Sequence, residues 1–210
     1  MDSVLTVACK LEVKEEQVAK LDATLVSFAE ACNYINQSVD PRLTNKPRIQ
    51  GLVYNHIRRD YRLSANLAVR AIARVASNRK TAKQKGKPVK AFKPTSVDYD
   101  ARIFSFREKD WTASLTLVTG RERFKLLIGN YQRSLLKGRV PTSATLCKRK
   151  DGTYYINIQI KDDVPDAPIR DDVIGVDFGR RDIAVTSEGD RWTCSLSYDA
   201  TGLLKARPVA

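Results

Sequence analysis

Histidine is almost missing from this 210-residue chain. The single copy, His56, excludes His-dependent catalytic triads and most histidine-rich metal sites, and it reads as an ordinary residue in or beside a helix. Four cysteines, Cys9, Cys32, Cys147 and Cys194, lie far apart without a CxxC pair. They read as reduced thiols of the core or surface and not as zinc ligands. No apolar run approaches the roughly 20 residues that cross a bilayer. The start, Met1-Asp2-Ser3-Val4, lacks the basic flank and apolar core of a signal peptide. A cytoplasmic protein with no membrane partner is the expectation. There is no Walker A loop, no Gly-x-Gly-x-x-Gly, no internal repeat and no helix-turn-helix dimer pattern.

Acidic residues are scarce in one region above all. The whole chain carries a net charge of +13 with 42% hydrophobic residues, so it can build a core and still favours a polyanionic partner. Residues 42–93 hold 15 Lys/Arg against a single Asp. Residues 1–41 are net −4, residues 94–170 net +5 and residues 171–210 net −2. Charge this concentrated marks a binding surface and not a diffuse solubility device.

In chain order, residues 3–11 alternate as a strand with one buried face. Lys14-Glu15-Glu16 opens a helix with acids in its first turn, and Val18, Leu21, Leu25, Phe28, Cys32 and Ile35 form its apolar stripe to about Asn36. After Asp40-Pro41 and Asn45-Lys46-Pro47, the spacing predicts a helix over 48–61 with Ile49, Leu52, Val53 and Ile57 apolar, closed by Arg58, Arg59 and Arg62. Ser64 is a fitting N-cap for a third helix to about Arg79, buried through Leu67, Ala68, Ala71, Ile72 and Val75. Arg70 and Arg74, four apart, project together. With so few acidic counterparts, these arginines and Arg79 read as a phosphate-contacting face. Residues 80–93 read as a basic linker, in which Lys80, Lys83, Lys85 and Lys87 can follow a nucleic-acid backbone.

From Thr95 the period becomes two. Strands are expected over 102–107, 112–118, 122–128, 143–149 and 153–161, with a short helix or turn from Tyr131 to Leu136. Lys150-Asp151-Gly152 joins the last two strands as a hairpin. Tyr154, Ile156, Ile158 and Ile160 face one way and Tyr155, Asn157, Gln159 and Lys161 the other. The fold class is therefore α+β, an antiparallel β-barrel-like domain with an inserted helical bundle.

Val173-Ile174-Gly175-Val176-Asp177-Phe178-Gly179 places one carboxylate on an expected buried strand. Three uses fit it: a metal-holding aspartate of a ribonuclease H-like nuclease, a phosphate-facing aspartate of an actin-like ATPase, or a strand-end carboxylate satisfying backbone amides.

Taken with the Ala-Cys-Asn-Tyr-Ile-Asn segment (31–36), the arginine-rich helices, the Lys-Asp-Gly-Thr-Tyr-Tyr-Ile-Asn-Ile hairpin (150–158) and the motif at 173–189, the chain resembles the N-terminal half of the TnpB (OrfB) proteins of insertion sequences. These are RNA-guided nucleases related to type V CRISPR effectors. The resemblance implies a wedge domain (1–12 and 94–165), a helical recognition domain (13–79), the basic linker (80–93) and an incomplete RuvC segment (166–210). It implies nucleic-acid partners, a structured guide RNA and DNA, and makes Asp177 the match to the first RuvC aspartate. The family uses Mg2+ and carries a zinc ribbon. The family's later carboxylates and CxxC pairs do not follow here, and the stretch from Thr193 departs from its pattern, as a frameshift or early stop would leave it. The expectation is a TnpB-like nucleic-acid-binding protein without independent nuclease activity, whose Asp177 would hold metal only beside partner carboxylates. The alternative is a stand-alone RNA- or DNA-binding regulator of transposon origin, with an actin-like phosphotransfer segment third.

Overall fold

The computed structural model describes residues 2–163, 174–178, 184–192, 194–198 and 204–208. Residues 1–164 form one compact unit and residues 165–210 a second. The expected Pro165 and Pro168 linker, and Val173 and residues 179–183 of the Asp177 motif, lie outside the described residues.

The first unit is α+β. It runs β1 (Asp2–Glu12), α1 (Glu15–Ser38), α2 (Lys46–Asp60), α3 (Ala65–Gln84), β2 (Ser96–Asp100), β3 (Phe104–Arg107), β4 (Thr112–Leu117), β5 (Gly120–Leu127), α4 (Asn130–Leu136), β6 (Ser143–Lys148) and β7 (Tyr154–Asp163). Seven antiparallel strands form one sheet in the order β2-β6-β7-β1-β5-β4-β3. Its two edge strands, β2 and β3, are sequence neighbours joined by Ala101, Arg102 and Ile103. A link that short reaches about 14 Å, whereas seven flat strands would span roughly 29 Å. The sheet must therefore curl to bring its edges together. Ile103 N–H donates to Asp100 O at 3.0 Å to make the corner.

Strand β2 is an addition to the sequence expectation. Ser96-Val97-Asp98-Tyr99-Asp100 offers two apolar residues, Val97 and Tyr99, and both are fully buried. The 154–160 alternation falls as expected, with the even positions in the core. The hairpin before it turns through Gly152 at φ +81°, a left-handed position. Asp151 accepts there from the Thr153 N–H and hydroxyl.

The inner face of the sheet and the helices share a single core that includes Cys9, Phe28, Ile72, Phe124 and Ile156. On α1 the stripe begins a turn late: Val18 is exposed, and Gln17 is buried in its neighbourhood. Gln17 is tolerated there because its side chain is satisfied. Its Oε1 accepts from Lys14 N–H, and its Nε2 donates to Glu122 Oε2 at 3.2 Å and Arg123 O at 3.3 Å. On α2, Leu52 is 67% exposed while Ile49, Val53 and Ile57 are buried. Ser64 caps α3 by accepting from Leu67 N–H. Burial pushes the Cys9 and Cys32 thiols up to about 12, which keeps them protonated.

Ion pairs pin α1 to the sheet. Lys20 meets Glu122 of β5 at 2.5 Å, and Asp22 accepts from Lys148 of β6 at 2.6 Å and from the Tyr154 hydroxyl at 2.7 Å. Hydrogen bonds from Lys20 and Gln17 hold Glu122 below its ordinary value of 4.5. A depressed carboxylate contributes stability that is present above its unfolded pKa and lost as pH falls through the folded one. Glu122→Gln should accordingly lower the urea midpoint at pH 7, with the gap to wild type closing as both are titrated below about pH 4. A gap independent of pH would show that the charge of Glu122 contributes nothing.

Candidate nucleic-acid interface

Helix α3 extends five residues beyond the sequence expectation, to Gln84, so Lys80 and Lys83 are helical. Gly86, at φ +60°, then reverses the chain, and Lys87 N–H donates back to Ala82 O at 3.0 Å, the six-to-one bond of a helix C-terminal turn. The basic segment folds back against the helices. Asn33 of α1 clasps it from both sides of one peptide unit: Asn33 Nδ2 donates to Phe92 O at 2.9 Å, and Phe92 N–H donates to Asn33 Oδ1 at 2.8 Å. Two cavities flank the returning chain and share Ala82, Lys87, Pro88 and Val89. The first, of about 580 Å³, is otherwise lined by Asn36, Pro41, Arg42, Thr44, Arg79 and Lys83. The second, of about 470 Å³, includes Arg74, Lys85, Lys90 and Lys93.

The cations predicted to contact phosphate fall into three kinds. Arg74 and Arg79 are engaged inside the protein. Arg74 pairs with Asp98 of β2, Nη2 to Oδ1 at 2.6 Å and Nε to Oδ2 at 2.7 Å, and donates to Ser96 O. The acid that answers it comes from the strand that the sequence pattern missed. Arg79 is 3% exposed. Its guanidinium donates to the carbonyls of Ile35, Asn36, Val39, Asp40 and Leu43 and to Asn36 Oδ1, at 2.8–3.3 Å. It satisfies carbonyls at the end of α1 and in the turn beyond it, those of Ile35 and Asp40 also accepting from Val39 and Leu43 N–H, a structural task. No carboxylate pairs with it among the described residues. Burial lowers its pKa, with Asp40 acting the other way.

A second kind sits at the opposite end of α3. Arg58 lies over the Tyr54 ring at 5.7 Å, Arg59 pairs with Asp60, and Arg62 is exposed with φ 53° just past α2. Along α3 this end stands about 22 Å from Lys80 and about 30 Å from the last residue, Gln84. Nearby, His56 stacks on Tyr34 at 4.1 Å and meets Asp60 Oδ2 at 3.1 Å, so the lone histidine is occupied. Arg70 lies between the groups, half-buried, with Nε shielded and unpartnered.

The third kind is a free series. Lys80, Lys83, Lys85, Lys87, Lys90 and Lys93 are all exposed, and none makes an ion pair among the described residues. Arg42, at the rim of the first cavity, likewise has none. The sequence puts Arg42 within the basic region but gives no sign that it joins Lys83 and Lys87. The Asp40-Pro41 break that brings it there reads locally as a loop.

In the second unit, β8 (Val176–Asp177), β9 (Ala184–Thr186) and β10 (Arg191–Trp192) form a sheet in the order β10-β9-β8, and β11 (Cys194–Tyr198) pairs with β12 (Leu204–Pro208). Asp177 lies opposite Val185 on the edge strand. The expectation of a buried strand is corrected here. Residues 174–178 are all exposed, Phe178 at 76%, so this carboxylate keeps its water and needs no compensating partner. No group of three or more His, Cys, Asp or Glu converges on a metal site among the described residues. Asp177 with its described neighbours therefore does not fit the carboxylate cluster that a magnesium pair requires.

Among the described residues no helix is long and apolar enough to cross a membrane. Neither protein-family models nor curated proteins give this chain a match.

Arg79→Met keeps the stem and removes the donors, leaving buried carbonyls unsatisfied. It should cost about 2–5 kcal/mol in urea unfolding, with loss of helicity by circular dichroism. A cost within 0.5 kcal/mol, the range of ordinary surface changes, would remove Arg79 from this structural role.

Proposed function

We propose that this chain binds nucleic acid, structured RNA first and DNA second, through the lysine series from the last turns of α3 to Lys93. The observation that carries the reading is that these six lysines are exposed and unpaired, while cations beside the sheet, such as Arg74, Lys125 and Lys148, have carboxylate partners. A row of uncompensated cations on a tethered backbone suits a phosphate chain, which repeats its charges at short intervals. The anchoring of Phe92 by Asn33 reduces the ordering cost on binding.

In its finer form, the proposal follows the resemblance to TnpB proteins. The curled sheet then takes the place of the wedge domain, α1–α3 that of the inserted recognition domain, and the strands around Asp177 that of a RuvC-like segment. Asp177 enters this reading as a mark of resemblance and not as a cutting group.

The test is a salt titration of RNA affinity by fluorescence anisotropy. Wild type should give a steep log–log slope. Replacing Lys80, Lys85, Lys90 and Lys93 by Ala should flatten that slope by about 3, at roughly 0.7–0.9 per lost phosphate contact. A flat wild-type slope, or an unchanged slope in the quadruple variant, would sink the reading.

A further inference from the structure

The first cavity has more than a cationic rim. Every charged residue that lines it is basic: Arg42, Lys83, Lys87 and, within its wall, the buried Arg79. The Arg79 guanidinium is hydrogen-bonded to carbonyl oxygens and touches no carboxylate among the described residues, with the Asp40 charge acting on it from beyond contact. A buried guanidinium with no carboxylate in contact favours an anion beside it. The nearest acid, Asp40, accepts from the backbone N–H of Arg42 at 2.8 Å and does not line the cavity. The remaining surface is of another character. Pro41, Ala82, Pro88 and Val89 supply apolar walls. Asn36 Nδ2 and the Thr44 hydroxyl make no hydrogen bond among the described residues and are open to the edge of a ligand.

We propose that this cavity is a nucleoside-phosphate site, with the phosphate held by Arg42, Lys83 and Lys87 and the base between the apolar walls against Asn36 and Thr44. A volume of about 580 Å³ falls in the range of small-molecule sites, roughly 300–1,000 Å³, and exceeds what an inorganic anion fills. Apolar walls add nothing for a bare phosphate, whereas a base gains from them. The nucleoside phosphate belongs to a single strand whose backbone follows the neighbouring lysines. In that form the proposal rests on the nucleic-acid reading above. A free mononucleotide presents the same chemistry.

Two charge-neutral substitutions, Ala82→Trp on α3 and Val89→Trp on the returning segment, fill the cavity from different walls. Each is checked for native helicity and melting. The probes are a labelled single-stranded RNA 12-mer, AMP and inorganic phosphate, all with the full chain. The expected result is an RNA affinity about tenfold weaker in both variants, with a salt slope lower by no more than the one phosphate held in the cavity, about 0.7. AMP should bind wild type more tightly than phosphate does and be lost in both variants. AMP binding without RNA binding would sink the nucleic-acid reading and keep the cavity as a free-nucleotide site. RNA affinity unchanged in both variants, or phosphate binding as tightly as AMP, would overturn the proposed site even if the nucleic-acid reading stands.

Discussion

The return of the chain from β2 to β3 governs the first unit. Three residues join strands that stand at opposite edges of a seven-stranded sheet, and the sheet has to curl to satisfy them. Curling gives the sheet a concave apolar face, and 24-residue α1 contributes Leu21, Leu25, Phe28 and Ile35 to the same core. The direction of α1 then determines where its end falls. The α1 C-terminus presents carbonyls without intrahelical partners, and Arg79 from α3 meets them. The curled sheet and the arginine between the helices are thus linked through one helix.

The same packing sorts the charges. Asp22 of α1 reaches Lys148 of the sheet, Lys20 of α1 reaches Glu122, and β2 supplies the acid for Arg74. Each of these partly buried pairs also fixes one element against another, and their value to stability depends on removing neither partner alone. Further along α3, the carboxylates give out. The chain from Lys80 to Lys93 lies against α1 through Asn33, with no acid opposing its lysines. The regional excess of positive charge in the sequence therefore overstates the breadth of the surface and understates its focus. Arg79 is buried and Arg74 is paired with Asp98, and the group Arg58, Arg59 and Arg62 stands at the other end of α3.

Much of this was legible in the sequence, because short-range periodicity reports which face is buried. The stripes of α1 and α3, the Ser64 cap, the Asp-Gly hairpin and the alternation of residues 154–160 all carry local signals. What was not legible depends on contacts distant in sequence. Strand β2 has two apolar residues in five and gains its strand character from pairing with β6, some 47 residues later. Arg79 looks like its neighbours until α1 and the 40–43 turn close over it. The end of α3 was misplaced because a run of lysines with Gly and Pro has the composition of a linker, although its first five residues are good helix formers apart from Thr81. Asp177 departs from expectation for the opposite reason. Its apolar neighbours imply burial, but those described remain exposed in a sheet whose strands are two or three residues long.

A row of lysines by itself attracts any polyanion, because phosphate contacts position a nucleic acid without reading it. Discrimination requires a place where something other than phosphate is felt. The first cavity brings apolar walls, polar side chains without a protein partner and uncompensated cations together beside the lysine series. Its walls come from two places: Arg79 holds one side through five backbone carbonyls, and the reversal at Gly86 brings Pro88 and Val89 to the other. In the proposed reading the work of binding divides between the two, with affinity and most of its salt dependence arising along the strip and preference for an unstacked base arising in the cavity.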